Sequence, residues 1–189
     1  MNIGEIPNGY DFERKILGIS SSEVDKEVND CFKFNRKGHR RNEKKSNYSN
    51  FRKAVGVVKD IQNKIGNWNP KEPSTEIARV LFESVASHLE NRRENLRFYS
   101  SVGTLLDYKY GTDCFFILKD REYEAIITID LTINRRKRKS KADIVLTADD
   151  LRNDSRYKKI MGMVASRLLH KIIENHKKPD LYYRNTRRR

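Results

Sequence analysis

Cysteine is almost absent from this chain of 189 residues: Cys31 and Cys114 are its only two. They stand far apart, with no Cys-x-x-Cys pair and no Cys/His spacing that could hold zinc. Each reads as a reduced residue in apolar surroundings, the use expected inside a cell. Long apolar runs are also missing, and none approaches the roughly 20 residues that a membrane-crossing helix needs. The opening "MNIGEIPNGYDF" has neither the basic start nor the apolar stretch of a secretory signal, so the expected location is cytoplasmic. Histidine occurs only at positions 39, 88, 170 and 176, without ligand spacing. No Walker loop, Rossmann fingerprint or nucleophile elbow occurs, so the common signatures of nucleotide-binding and serine-hydrolase chemistry are excluded.

Acidic residues are in short supply as well. Asp and Glu total 26 against 40 Lys and Arg, a net charge of +14. An excess of that size attracts a polyanion, and nucleic acid is the leading partner. Hydrophobic residues make up 37% and charged residues 35%, the mixture of one compact core dressed in solvated segments.

Apolar spacing predicts a short helix at 20–32, with Val24, Val28 and Phe32 on one side. The stretch 33–53 follows, with Glu43 its only acid and no apolar face until Phe51, and reads as an exposed linker. Helical spacing returns from Asn50 to Ile65, and "GNWNPKEP" then breaks the chain. A helix is expected over 74–98, opened by Pro73 and Ser74. Strands are expected at 102–108, 112–118, 123–133 and 142–147, and a last helix at 155–175 stopped by Pro179. The predicted fold is α/β (α+β): a central mixed sheet of about four strands flanked by helices, with an N-terminal helical extension. The corresponding units are a basic extension over 1–72, the α/β core over 73–178 and a basic tail over 179–189.

Two acids interrupt runs that otherwise read as buried, Asp113 in "GTDCFFIL" and Asp130 in "AIITIDLT". If Arg121 and Glu122 form a two-residue hairpin loop, the register that sets Asp120 opposite Tyr123 also sets Asp113 opposite Asp130. Carboxylates that close repel unless something positive lies between them, and Mg²⁺ is the usual remedy for paired oxygen ligands. Alternatively, Asp113 starts its strand through a turn hydrogen bond, and Asp130 is satisfied by an arginine or a backbone N–H.

A helix, a strand and then a hairpin, with "YGTD" at Tyr110–Asp113 and "IDLT" at Ile129–Thr132, resembles the PD-(D/E)xK nuclease superfamily. The resemblance covers about 74–133 and implies a restriction-endonuclease-like core. It further implies that Asp113 and Asp130 bind Mg²⁺ and that a helix acid, Glu83 ahead of Glu90, completes the metal shell. The family places a lysine two residues after the second acid, where this chain has Thr132. Lys141 and Lys137 are the nearest replacements, with Lys141 taken as the catalytic candidate. A basic loop and another strand also follow Ile133, where the family usually places a helix.

The basic loop carries Arg135, Arg136, Lys137, Arg138, Lys139 and Lys141, interrupted only by Ser140. With Arg40 and Arg41 it forms the expected nucleic-acid-binding set, holding phosphates without reading bases. The functional expectation is a Mg²⁺-dependent nuclease acting on nucleic acid, DNA ahead of RNA, with a homodimer left open. The alternatives are a non-catalytic nucleic-acid binder on the same fold and an assembly protein that screens nucleic-acid charge.

Overall fold

The computed structural model describes residues 43–64, 68–134 and 140–177. The helix expected at 20–32, Cys31, Arg40, Arg41, the loop residues Arg135, Arg136, Lys137, Arg138 and Lys139, and the tail lie outside the described residues. The elements in chain order are α1 (Glu43–Lys64), α2 (Glu76–Ala86), a 3₁₀ turn (Glu90–Asn95), β1 (Leu96–Ser100) and α3 (Leu105–Tyr110). They continue with β2 (Cys114–Asp120), β3 (Tyr123–Thr132), β4 (Ile144–Thr147), α4 (Ala148–Arg152) and α5 (Asp154–Lys177).

The chain is α+β, built on one mixed sheet in the order β1-β2-β3-β4. The first three strands run antiparallel, and β4 lies parallel to β3. Alternation along each strand sends side chains to opposite faces, and both faces are apolar because both are covered. Phe98, Phe116, Leu118, Ile127, Ile129 and Leu146 meet α2 and α5 in the larger cluster. Tyr99, Phe115 and Ile117 meet Val55 and Val58 of α1 and Leu106 of α3 on the other side. α1 is therefore one wall of the core.

Three expected elements are redrawn. The helix expected over 74–98 ends at Ala86. Ser87 Oγ and His88 Nδ1 both bond the Ser84 carbonyl, at 2.9 and 2.8 Å, taking the acceptor the next helical amide would use. The chain tightens into the 3₁₀ turn, and "LRFYS" becomes the first strand. The strand expected at 102–108 is instead the short helix α3. The Thr104 side chain caps it at Leu106 N–H, and Gly111 closes it in the left-handed region at φ 58°. α4 follows β4 directly, started by a capping box between Thr147 and Asp150. α1 begins at Glu43, inside the stretch expected to be linker.

The outer edge of β1 is partly covered, and so is the part of β3 that β4 does not reach. On β1, Phe98 N–H donates to the Pro70 carbonyl at 2.8 Å and Trp68 Nε1 to the Phe98 carbonyl at 3.0 Å. β4 covers β3 only from Ile129 to Thr132. Before that point Lys171 Nζ donates to the Ile126 carbonyl at 2.7 Å, and Thr128 N–H donates to Asp143 Oδ2 at 2.9 Å. Side chains thus stand in for a missing strand. Among the described residues no helix is long and apolar enough to cross a membrane.

Candidate metal and nucleic-acid site

The hairpin pairs Asp120 with Tyr123 across Arg121 and Glu122, so the register expected from the loop length is the register found. It holds as far as Cys114 and Ile129, and there the ladder stops. Asp113 N–H turns to the Ile129 carbonyl at 2.9 Å, and Asp113 Oδ2 accepts the Leu131 amide. The two aspartates are therefore not the directly opposed pair that extending the register implies. Asp113 instead reaches past Asp130 to the next peptide. The reason is local: Gly111 ends α3 and Thr112 N–H bonds back to the Leu106 carbonyl, so the chain enters β2 out of line with the ladder.

Both carboxylates are nonetheless deep, Asp113 at 4% and Asp130 at 2% exposure. Their common neighbour reports on them. Burial pushes the Cys114 thiol well above its ordinary pKa, and the charges of Asp113 and Asp130 push it further in the same direction. Asp130 lies beside the turn that closes α3. A Cβ placed on Gly111 would stand 3.5 Å from Ser140 Oγ and 3.9 Å from Asp130 Oδ2. The segment leaving the basic loop thus passes beside Asp130, and Lys141 Nζ is anchored there on the Lys109 carbonyl at 2.8 Å. The structure brings Asp113, Asp130 and Lys141 into one neighbourhood and adds Ser140, which no spacing in the sequence marked.

Glu83 is placed elsewhere. α2 covers the opposite face of the sheet, and both Glu83 oxygens pair with the Arg93 guanidinium, Nη2 to Oε1 at 2.8 Å. Glu90 opens the exposed 3₁₀ turn. Thr132 is buried, and its hydroxyl accepts Asn134 N–H at 3.1 Å as the chain leaves β3. Among the described residues no group of three or more His, Cys, Asp or Glu side chains is arranged to hold a metal ion.

Comparison with protein-family models, curated proteins and solved structures finds no match. The chemistry must be read from the residues themselves. Mg²⁺ takes oxygen donors and keeps several waters, so one or two carboxylates suffice when phosphate oxygens complete the shell. Asp113 and Asp130 are buried carboxylates of that donor type, and among the described residues no group of three or more possible ligands forms around them.

A cleft of about 400 Å³ runs along the uncovered part of β3, between α1 and α5, and Lys141 also lines it. Arg52 and Lys171 line it beside Asp143 and Glu124. Lys171 and Asp143 pair at 3.2 Å. Burial raises the Glu124 pKa, but Lys59 and Lys119 outweigh it and hold the carboxyl below its ordinary range. These are residues that sequence reasoning missed. The sole available sign was Asp143 next to the basic loop, and one acid beside many bases is an ordinary solvated pattern.

Proposed function

We propose that this protein is a nucleic-acid-binding protein of nuclease type, resembling the PD-(D/E)xK superfamily, that hydrolyses phosphodiester bonds with Mg²⁺. One observation carries the reading: two almost fully buried carboxylates, one at the entry to β2 and one on β3, lie near the end of α3 in a chain of net charge +14, and Lys141 is anchored on the Lys109 carbonyl of that helix. A divalent cation takes carboxylate oxygens and balances two such charges at once. Asp113 and Asp130 would hold Mg²⁺, which when bound polarises the phosphodiester and makes water a stronger nucleophile. The Leu131 amide holds the Asp113 carboxylate in one orientation. Lys141 supplies the positive charge that Thr132 cannot. Arg135, Arg136, Lys137, Arg138 and Lys139 grip the backbone, with DNA favoured over RNA.

A second reading has an observation of its own. Asp113 spends an oxygen on the Leu131 amide, and Thr132 spends its hydroxyl on Asn134, as a purely structural strand end would. That favours a non-catalytic binder on the same fold. A cleavage assay on labelled DNA and RNA with Mg²⁺ or Mn²⁺ separates the two. Nuclease action requires cutting by the wild type, loss of at least a hundredfold in Asp130→Asn, and retained binding. Binding without cutting under either metal supports the second reading.

A further inference from the structure

The segment that leads into β4 is flanked by cations, and the atoms they bond to leave their charges intact. Arg167 Nη1 of α5 donates to the Asp143 carbonyl at 2.8 Å, and Lys141 Nζ donates to the Lys109 carbonyl at 2.8 Å. Both side chains are exposed. A carbonyl oxygen fixes a cation in place without cancelling its charge, and Arg167 commits only one of its five N–H donors to that bond. Asp143, the acid within this group, is already engaged. Lys171 Nζ meets its Oδ1 at 3.2 Å, and its Oδ2 accepts Thr128 N–H at 2.9 Å and the Thr128 hydroxyl at 3.0 Å.

Lys141, His170 and Lys171 line the cleft over the uncovered part of β3. His170 and Lys171 also line a second hollow of about 370 Å³, together with Ser166 and Arg167, so the two meet along α5. The other acids of the cleft have countercharges outside its lining. Glu124 pairs with Lys59 and Lys119 at 3.3 and 3.2 Å, and Glu174 with Lys177 at 3.4 Å. A phosphate diester matches what this recess offers, because a guanidinium presents a planar fork to phosphate oxygens and an ammonium a point charge. Lys141 ties the recess to the candidate metal site. Its partner Lys109 lies on α3, and the glycine that closes α3 would bring a Cβ within 3.9 Å of Asp130 Oδ2.

We infer that the recess along α5 is a phosphodiester subsite, in which Arg167 and Lys141 hold the backbone of a nucleic-acid strand that continues to the Asp130 site. The inference rests on the nucleic-acid part of the function proposed above and adds the path the strand takes. Free phosphate shares the chemistry, so the test separates the two sources.

The test is equilibrium binding by fluorescence anisotropy at several salt concentrations, using the full chain in EDTA so that cleavage cannot contribute. The probes are end-labelled mixed-sequence oligonucleotides: single-stranded DNA, single-stranded RNA and a DNA duplex. Arg167→Gln should lower the slope of log K against log salt by about 0.7–0.9, one phosphate contact, and weaken binding roughly 5- to 8-fold near 0.1 M salt. Arg167→Lys keeps the charge and should stay within about twofold of wild type. Lys71→Gln makes the same change of net charge at the opposite edge of the sheet, where Lys71 follows the Pro70 that covers β1, and should leave the slope unchanged. His170 is exposed, so His170→Lys adds a permanent charge to the recess without disturbing the core and should steepen the slope by a similar amount. Urea unfolding shows whether Arg167→Gln remains folded, and His170→Lys decides the matter if it does not. Equal effects of Arg167→Gln and Lys71→Gln, or no gain in His170→Lys, overturn the subsite and leave the nuclease proposal standing. Inorganic phosphate at constant ionic strength should not displace the probes; displacement that Arg167→Gln abolishes would assign the recess to free phosphate and overturn the strand path. A wild type that binds none of the probes overturns both proposals. A subsite that behaves as expected in a protein that never cuts upholds this inference and removes catalysis alone.

Discussion

A single hydrogen bond decides how the candidate site holds together at the scale of one residue. Asp113 is both a charge and a cap: its oxygen takes the buried Leu131 amide past the last β2–β3 pair, while Leu131 is in register with Leu146 of β4 on the other side. Asparagine keeps the acceptor and drops the charge, whereas alanine drops both. Asp113→Ala should therefore lose about 1–3 kcal/mol, the cost of leaving a buried donor unsatisfied. Asp113→Asn should lose much less, or gain if the unfolded chain prefers the charged form. Urea unfolding followed by Trp68 fluorescence reads both variants, since Trp68 is the chain's one tryptophan and is buried. Equal losses would mean that charge, and not the cap, matters there. The residue identities at this site were legible in sequence: two acids in apolar strands, and a threonine where a lysine was expected. The departure of Asp113 from the ladder was not, because it follows from how α3 ends.

Elements obeyed periodicity where they were long and departed from it where they were short. α5 repeats Met161, Val164, Leu168 and Ile172 toward the sheet, and these four are buried as a helical stripe requires. Leu168→Ala should cost about 2–5 kcal/mol in the same unfolding measurement, as a truncated core leucine does. Met163, on the same helix but 41% exposed, should change stability by no more than about 0.5 kcal/mol when replaced by alanine. Similar losses in the two variants would show that α5 does not pack in this orientation. The shorter α3 and α4 escaped notice because five or six residues hold too little periodicity to separate helix from strand. Their capping residues carried the missing information: Thr104 and Gly111 for α3, and Thr147 with Asp150 for α4. The end of α2 was hidden for a different reason, since its apolar spacing continues to Leu89 and only the side chains of Ser87 and His88 divert the backbone.

Charge acts on the whole molecule. A net charge of +14 makes association with a polyanion release counterions, and the affinity should fall with salt along a straight line of log K against log concentration. If about 4–6 phosphates are neutralised, raising salt from 50 to 200 mM should weaken binding by roughly 10²–10³-fold. Anisotropy titrations at several salt concentrations measure the slope. A slope near zero would remove electrostatic attraction, and with it the meaning given to the charge excess. Shape acts at this scale too: the outer edge of β1 and the part of β3 that β4 leaves uncovered are occupied by side chains or by the 68–72 segment. A second chain adding a strand against β1 would have to displace those bonds first.

Composition and local pattern, by themselves, determined the fold class, the last helix, the hairpin register as far as Cys114 and Ile129, and the net charge of +14. Each of those depends on charge totals, on a repeat within one segment or on the length of one turn. Tertiary structure alone decided that Glu83 stands across the sheet from the aspartates and that Asp113 reaches Leu131. It alone also set Ser140 and Lys141 beside Asp130 at the end of α3. Those placements depend on which face a helix covers and where a connection passes, and residues far apart in sequence carry no mark of either until the sheet has formed.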